Sequence, residues 1–410
     1  MRFRANTIIM LDLALCISFH LSAQNSSDPY PGMEFTKEQL KQHVAYRNKL
    51  PLVLVDGSQV TALASPTYLN LLSYFPHDQT AWNQGDCGNC WVYGSTAVVS
   101  IMNGVQGRQG PLSVQFFNSA YNNGTGSGFA CCPGFVENFI SFYSGVGYFI
   151  PWSNNNASFM DLHTSCGNST LQPLSGISTA ASWPFYKITE GRIGTVVPGQ
   201  PVSVSISAIK SVLNQNIPIV FSFYASSSGW SSFKSWWNTG TENSICTNFD
   251  SFKGSDFGHT VALVGYDESD STWIFLNSWG VTSLRPNGTF KLPQTLSYNT
   301  SPTYEFDAFT VSWYNTNVTI PTPSTDQSIG TGTTVTFTGN CSNSGSQPLQ
   351  YVWDFGDGNS ISGSSPTATH IFYTSGSTVT RKVILTINSM ANPMNPTLLG
   401  KGLRNITVHP

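Results

Sequence analysis

The sequence predicts an α+β chain, in which helical and strand-like segments are followed by a C-terminal β-sandwich. Three observations predict this class. Apolar residues recur at helical spacing from Cys90 to Gly104. Two apolar strand-like runs, 258–266 and 273–280, flank a polar turn far downstream. Short alternating strands recur between residues 333 and 387, a pattern typical of sandwiches.

Length and charge set the first limits on function. A chain of 410 residues is long enough for about two to three domains, each with a sizeable core. It carries 18 Lys and Arg residues against 21 Asp and Glu residues, a net charge of −3. Because there is no basic excess, nucleic acid is not expected as a partner. The low charged fraction, 10%, is typical of an extracellular chain rich in Ser, Thr, Asn and Gly.

Residues 1–24 are predicted to be a secretory signal peptide. Arg2 and Arg4 precede an apolar stretch over residues 7–21, and small residues follow near a plausible cleavage point. An uncleaved membrane anchor is the alternative, but the stretch is short for a span and Asp12 interrupts it. No later stretch predicts a crossing, so no membrane span is expected after signal removal.

Residues 25–64 are interpreted as a short propeptide or N-terminal extension. A helix is expected over residues 36–48, capped by its first residue, with Leu40, Val44 and Arg47 on one face. The alternative interpretation makes this stretch the first part of the mature domain.

The stretch Gln-Gly-Asp-Cys-Gly-Asn-Cys-Trp at 84–91 predicts a thiol nucleophile. Cys90 lies at the first turn of the predicted helix, where the partial positive end stabilises a thiolate. A thiolate also needs a cationic partner that later protonates the leaving amine. The predicted downstream hairpin brings His259 close to Asn277, whose amide oxygen can orient the imidazole.

A lone Cys-x-x-Cys pair is more often a disulfide, redox or metal pair than part of a catalytic site. Here only Cys87 and Cys90 have the Cys-x-x-Cys spacing, and the sequence has no second Cys/His pair of finger-like spacing. Neither a metal site nor a cofactor is therefore expected.

Three motifs together resemble the papain-like cysteine proteases of the cathepsin type. QGDCGNCW at 84–91 resembles that family's Gln-Gly-x-Cys-Gly-x-Cys-Trp signature, HTVALVGY at 259–266 its histidine strand, and NSWG at 277–280 its asparagine motif. The resemblance implies a two-lobed fold over residues 65–314, with a helical left lobe and a β-barrel-like right lobe.

The resemblance also implies a role for each matching residue. Cys90 is the nucleophile, His259 the general acid and base, and Asn277 the residue that orients the histidine. Gln84 and the backbone amide of Cys90 are the oxyanion donors, and Trp279 is an aromatic shield.

Substrate contacts are expected where residues 130–135 stand in place of the family's Cys-x-Gly-Gly segment. The resemblance makes Gly134 a backbone contact for an extended substrate and Phe135 a wall of the main apolar specificity pocket. Phe135 as an ordinary core residue is the alternative. The chain departs from the family pattern after Trp91 and again over residues 281–290, which replace the family's tail after NSWG.

The eight cysteines fit an oxidising compartment. Cys16 leaves with the signal peptide and Cys90 must stay free, so six cysteines remain for at most three bridges. The pairs that the resemblance implies are Cys87–Cys131 and Cys132–Cys166. A swap of the neighbours Cys131 and Cys132 stays open, and so does a bridge between the remaining Cys246 and Cys341.

Asn-x-Ser/Thr sites predict a glycoprotein if the chain follows a eukaryotic secretory route, whereas in a bacterium composition alone would account for most of them. The sites are Asn25, Asn123, Asn156, Asn168, Asn287, Asn299, Asn317, Asn340 and Asn405.

The C-terminal part is predicted to be a linker, residues 315–330, followed by a β-sandwich domain, residues 331–410. YVWDFGDG at 351–358, with the strand-like run at 382–387, resembles a PKD repeat, an immunoglobulin-like module. In such a module Trp353 is core, Asp354 and Asp357 form turns, and His370 is structural. The resemblance implies adhesion, spacing or substrate docking, through an extracellular or surface ligand.

Together these predictions describe a secreted cysteine endopeptidase, made as a zymogen for an extracellular or lysosome-like compartment. It would hydrolyse peptide bonds of proteins or peptides through a Cys-His thiolate-imidazolium pair and an acyl-enzyme. The alternative is a catalytically degenerate protease fold that acts as a secreted peptide-binding or adhesion protein. A second enzymatic alternative is transfer to an amine or trimming from the amino end.

Overall fold

The computed structural model describes residues 30–53, 66–75, 81–107, 110–179, 181–194, 204–298, 303–313, 318–342, 348–390 and 397–410. The predicted signal peptide lies outside these residues. The described residues form two hydrophobic cores, one between Met33 and Val311 and one between Val318 and Val408.

The first unit contains six α-helices within the described residues. They are α1 (Lys37–Arg47), α2 (Cys90–Val105), α3 (Val114–Ala120), α4 (Val136–Val146), α5 (Ile206–Leu213) and α6 (Ser227–Thr239). Thr36 and three serines cap four of them by accepting hydrogen bonds from first-turn amides. In the described part of the chain, no helix combines the length and the apolar character that a bilayer crossing requires.

The strands of this unit form one mixed sheet. They are β1 (Leu52–Val53), β2 (Tyr68–Asn70), β3 (Tyr148–Phe149), β4 (Trp183–Ile193), β5 (Ile219–Ala225), β6 (Phe257–Asp267), β7 (Thr272–Leu276), β8 (Thr289–Pro293) and β9 (Tyr304–Trp313). Their order is β1-β4-β9-β5-β6-β7-β8, with β2 on β6 and β3 on β4. Only β1 and β4 are parallel.

The expectation of a β-barrel-like right lobe is corrected by this sheet. Its two edge strands, β1 and β8, each pair with a single neighbour, so the described strands form no closed barrel. One edge is extended by β1, which comes from the N-terminal segment and pairs through Leu52 and Val53 with the end of β4.

Helix α2 lies in the core of the first unit. Its sequence is apolar nearly all round, which is typical of a buried helix. It packs against β6, and a Cβ atom on Gly94 would lie 3.1 Å from the side chain of Thr260 and 3.2 Å from its backbone. Glycine at position 94 therefore allows the helix that begins at Cys90 to approach the strand that carries His259.

Helix α1 confirms the predicted helix over 36–48, but its buried face differs from the expectation. Arg47 is buried as expected, but Leu40 and Val44 are only half-buried, and His43, which was not expected on this face, is buried with Arg47. The helix therefore docks on the first unit through two basic side chains, because acidic side chains lie opposite them.

The second unit is a sandwich of two sheets. Its strands are β10 (Val318–Thr322), β11 (Gln327–Gly330), β12 (Thr333–Cys341), β13 (Leu349–Asp354), β14 (Ser360–Gly363), β15 (Thr367–Phe372), β16 (Val379–Ser389) and β17 (Thr397–His409). One sheet has the order β10-β12-β15 and the other β11-β17-β16-β13-β14. Trp353 is buried between them.

Two of these strands lie within residues 315–330, which the sequence predicted as a linker. Val318 and Ile320 of β10 alternate into the sandwich core, so this stretch pairs as strand rather than joining two domains as free chain. Pro and Thr content predicted a linker, but alternation of buried residues outweighs composition here. The limits of the domains otherwise stay predictions.

Candidate active site

Cys90 is the first residue of α2 and is fully buried. Just before it, the Cys87–Cys131 disulfide and a hydrogen bond from the Gly88 amide to the Cys131 carbonyl, 3.2 Å long, hold the chain in place. The helix N-terminus directs free amide groups toward this position, which favours negative charge on sulfur or on a nearby oxyanion.

His259 and Asn277 come from the predicted hairpin, which the structure contains as β6 and β7. Nε2 of His259 lies 2.8 Å from Oδ1 of Asn277. Nδ1 of His259 is buried and has no hydrogen-bond partner among the described residues. The asparagine thus holds one ring nitrogen and leaves the other for a reacting group.

Backbone contacts join Cys90 to the histidine strand. Hydrogen bonds from the backbone of Thr260 and Trp91 favour a thiolate at Cys90, but burial outweighs them and raises the pKa of the thiol to about 12. Burial also lowers the pKa of His259 to about 4, against the opposite effect of Asn277. With the site covered as it is, burial therefore disfavours the charged form of both groups.

Gln84 ties the nucleophile loop to the asparagine motif. Its Nε2 donates to the Cys87 carbonyl over 2.7 Å, and its Oε1 accepts from the Ser278 hydroxyl over 2.5 Å. The backbone N–H of Gln84 also donates to the backbone carbonyl of Ser278. The side-chain nitrogen Nε2 carries two hydrogens, so one N–H of the Gln84 side chain remains for another acceptor. Ser278 was not singled out from the sequence, although it lies inside the NSWG motif.

Trp279 covers the histidine. Its ring lies 4.7 Å from the ring of His259, and it is nearly buried. Further aromatic rings around His259 belong to Phe223, Trp230 and Phe233, at 5.5–6.3 Å. An apolar surrounding of this kind keeps water away and strengthens the hydrogen bond to Asn277.

Two of the residues expected to contact substrate are adjacent in the chain, and the first of them, Gly134, packs against Trp91. A Cβ atom on Gly134 would lie 2.4 Å from the Trp91 ring, so only glycine allows this approach. Phe135 is half-buried, and its ring stacks on Phe35 at 4.3 Å and on His43 at 4.1 Å. Both partners belong to the N-terminal segment.

The N-terminal segment lies over the catalytic residues, which sequence reasoning did not anticipate in detail. Tyr30 packs on Trp279 at 4.5 Å. Met33 and Gly258 exchange two backbone hydrogen bonds of 2.9 and 2.7 Å, directly beside His259. Phe35 then reaches Phe135. Residues 30–35 therefore follow the line on which the catalytic and predicted substrate-binding side chains lie.

A second residue missed from the sequence is Arg285, in the stretch that departs from the family pattern. It is fully buried, and its guanidinium lies 4.5 Å from the Trp236 ring and 4.6 Å from the Trp237 ring. It donates to the carbonyls of Trp237 and Thr289 over 2.9 Å. Trp237 in turn packs edge-on against Trp279 at 5.4 Å, so Arg285 supports the aromatic cover of the histidine.

The disulfides are Cys87–Cys131 and Cys132–Cys166, the same pairs that the resemblance implied, rather than the swapped arrangement. Cys90, Cys246 and Cys341 are free, so no bridge joins the last two. Among the described residues, no three His, Cys, Asp or Glu side chains are grouped so that they could hold a metal ion.

Comparison with known proteins gives a family for each unit. The sequence model of the papain family of cysteine proteases matches residues 79–303, and that of the PKD domain matches residues 319–390. No curated protein matches the chain. The chain is similar to a solved PKD domain from an M14-like peptidase of the Thermoplasmatales archaeon SCGC AB-540-F20. The matched region covers 23% of this chain and 93% of the solved chain. Its sequence identity is 20% and its TM-score 0.17, so it carries no further argument.

The papain-family match spans more than half of the 410 residues and includes all three motifs of the site. The second match coincides with the sandwich. The chain therefore belongs to the papain family of cysteine proteases and carries a C-terminal PKD domain.

Proposed function

We propose that the protein is a secreted cysteine endopeptidase in which Cys90 attacks the carbonyl carbon of a peptide bond. Gln84 and the Cys90 amide hold the oxyanion, and one such donor lowers the barrier by about 3–4 kcal/mol. His259, oriented by Asn277, protonates the leaving amine, which gives an acyl-enzyme. The same histidine then takes a proton from water, which releases the acid and restores the thiol.

One observation carries this proposal: Nε2 of His259 donates a 2.8 Å hydrogen bond to Oδ1 of Asn277, which leaves Nδ1 without a partner among the described residues. This histidine lies on the strand whose backbone bonds to the Cys90 sulfur. A histidine that only packed in a core would satisfy both nitrogens. Gly134, Phe135 and Trp279 are proposed to contact substrate, which the packing of the N-terminal segment on Phe135 and Trp279 supports.

We also propose that residues 30–35 keep the protease inactive as a zymogen. The shifts in pKa of Cys90 and His259 both arise from burial, which disfavours the charged pair. When the segment leaves, water reaches the site, the pKa of the thiol falls and that of the imidazole rises, and the thiolate-imidazolium pair forms. The observed contacts of Tyr30, Met33 and Phe35 support this role.

The proposed location is an extracellular or lysosome-like compartment. Two disulfides within the protease unit support an oxidising route. The proposed substrates are proteins or peptides, and the PKD domain is proposed to bind an extracellular or surface ligand.

The proposal is tested by labelling the processed protein with an epoxide that alkylates cysteine-protease thiols. The label is expected on Cys90 and is expected to be lost in Cys90→Ala, together with hydrolysis of an unfolded protein substrate. Cys246→Ala is the matched control, because Cys246 is also a buried free thiol but lies outside the site. Its labelling and activity should equal those of the wild type.

Two outcomes would contradict the proposal. A processed protein that never takes the label and cuts nothing would be the degenerate, peptide-binding alternative. Cleavage products that lack only terminal residues would indicate trimming, whereas an endopeptidase gives internal cuts.

A further inference from the structure

Helix α1 inserts a basic side chain next to the predicted substrate wall Phe135. Nδ1 of His43 lies 2.9 and 3.0 Å from the two oxygens of Glu137, and Nε2 lies 3.1 and 2.9 Å from those of Glu305. The imidazole stacks on the Phe135 ring at 4.1 Å with an interplanar angle of 10°. Its side chain is only 1% exposed. A planar cation is thus held by two carboxylates and one aromatic face.

A second cation of the same helix, Arg47, pairs with further acidic residues. Nε of Arg47 is 3.2 Å from Glu305, and its guanidinium also pairs with Asp307 on β9. Glu190 of β4 lies beside them and accepts a hydrogen bond from Tyr46. These four acidic residues form what is here named the acidic cradle: Glu137, Glu190, Glu305 and Asp307.

The acidic cradle offers more acceptors than helix α1 uses. Oε1 of Glu190 and Oδ1 of Asp307 are buried and have no hydrogen-bond partner among the described residues. Glu190 is 4% exposed and Asp307 is fully buried. Burial raises the pKa of both carboxyl groups, so their ionised forms are costly here unless donors or a positive charge are supplied. These atoms therefore favour a cationic ligand with several N–H groups.

The acidic cradle is joined to the catalytic residues through two pairs of sequence neighbours. Phe135 follows Gly134, which packs on Trp91, the neighbour of Cys90. On the other side, the hydroxyl of Tyr224 donates to Glu305 over 3.3 Å. The residue before it, Phe223, packs on His259 at 5.6 Å. Residues next in sequence to those that contact the cradle therefore pack against the catalytic site.

We propose that the acidic cradle is a substrate subsite and that, once α1 has been released, it takes an arginine side chain of the peptide being cleaved. The inference rests on the proposed proteolytic function and names its substrate class. Arginine fits better than lysine, because a guanidinium is planar, stacks on an aromatic ring as His43 does, and bonds carboxylates through paired N–H groups. The pocket that the sequence predicted as apolar is acidic on the side of β4 and β9.

The experiment measures kcat/KM of the processed full chain on matched fluorogenic peptides. The peptides carry Arg, Lys, norleucine or Glu in turn at each position flanking the scissile bond. At one position, Arg is expected to exceed norleucine by about 10- to 100-fold, the effect of hydrogen bonds to a charged group. Glu305→Gln is expected to reduce this preference to within about threefold, because the amide has the same shape but no charge.

Glu137→Gln is the second variant and is expected to reduce the preference in the same way, since Glu137 is more exposed and less needed for folding. Glu268→Gln is the matched control, because Glu268 follows the opposite end of β6 from His259 and pairs with Lys210. Its preference should equal that of the wild type. Epoxide labelling of Cys90 is measured in every variant.

The outcomes separate the inference from the proposed function. Normal labelling with no preference for Arg, or a preference that Glu305→Gln leaves intact, would overturn the acidic cradle as a subsite while the protease stands. Mass spectrometry that finds α1 still bound to the fully active protein would overturn it too. Absence of labelling at Cys90 would overturn both.

Discussion

Replacing His43 by alanine in the unprocessed protein should open the cleft. The side chain is 1% exposed and lies between Glu137 and Glu305. Removing one partner of a buried ion pair costs about 3–5 kcal/mol. Arg47 continues to neutralise Glu305, so we expect the lower end, about 3 kcal/mol. Since about 1.4 kcal/mol corresponds to a tenfold change in an equilibrium constant, the open fraction should rise about 100-fold.

The rate at which an epoxide labels Cys90 reports this opening, because the thiol is fully buried in the closed state. The labelling rate of His43→Ala before processing should therefore exceed that of the wild type by about 100-fold. Lys41→Ala is the matched control on the same helix, because the Lys41 side chain is 80% exposed and its ion pair is 4.0 Å long. Exposed pairs contribute little, so its rate should not change.

Equal labelling rates for His43→Ala and Lys41→Ala would refute the reasoning that the buried ion pairs keep the helix docked. A His43→Ala protein that unfolds as a whole, with no state in which only the segment opens, would refute the view that α1 and residues 30–35 detach as a local unit.

Other predictions concern the charge of His43, the orientation of His259 and the buried Arg285. Burial lowers the pKa of His43, but Glu137 and Glu305 outweigh it and raise the pKa from 6.5 to about 10. Its contribution to docking is thus fully present below pH 6.5 and is lost as the pH rises through 10. The advantage of His43→Ala in labelling rate should accordingly shrink at alkaline pH. Asn277→Ala removes the 2.8 Å bond to His259 and should lower kcat of the processed enzyme about 10- to 100-fold with KM little changed; an unchanged kcat would contradict the orienting role. Arg285→Lys should lower the free energy of unfolding by about 2–4 kcal/mol in urea, because lysine cannot bond the separate carbonyls that arginine reaches; a midpoint equal to that of the wild type would contradict this.

Local pattern was sufficient for the elements that carry the proposed catalysis. Helical spacing after Cys90 predicted α2, and the two apolar runs around a polar turn predicted the β6–β7 hairpin with His259 and Asn277. These features depend on residues close to one another in the chain, so periodicity and turn residues report them directly. The family was also recognisable from three motifs, because each motif is short and contiguous.

Only tertiary contacts decided how the N-terminal segment packs against the site. His43 meets Glu137 and Glu305 across separations of 94 and 262 residues, and no spacing in the chain predicts such a pair. The same holds for the open sheet, whose edge depends on β1 pairing with β4. Helical spacing placed Leu40, Val44 and Arg47 on the docked face of α1, whereas the structure buries His43 with Arg47 there. A basic side chain is buried only where folding brings acidic groups opposite it, and that partner set exists only in three dimensions.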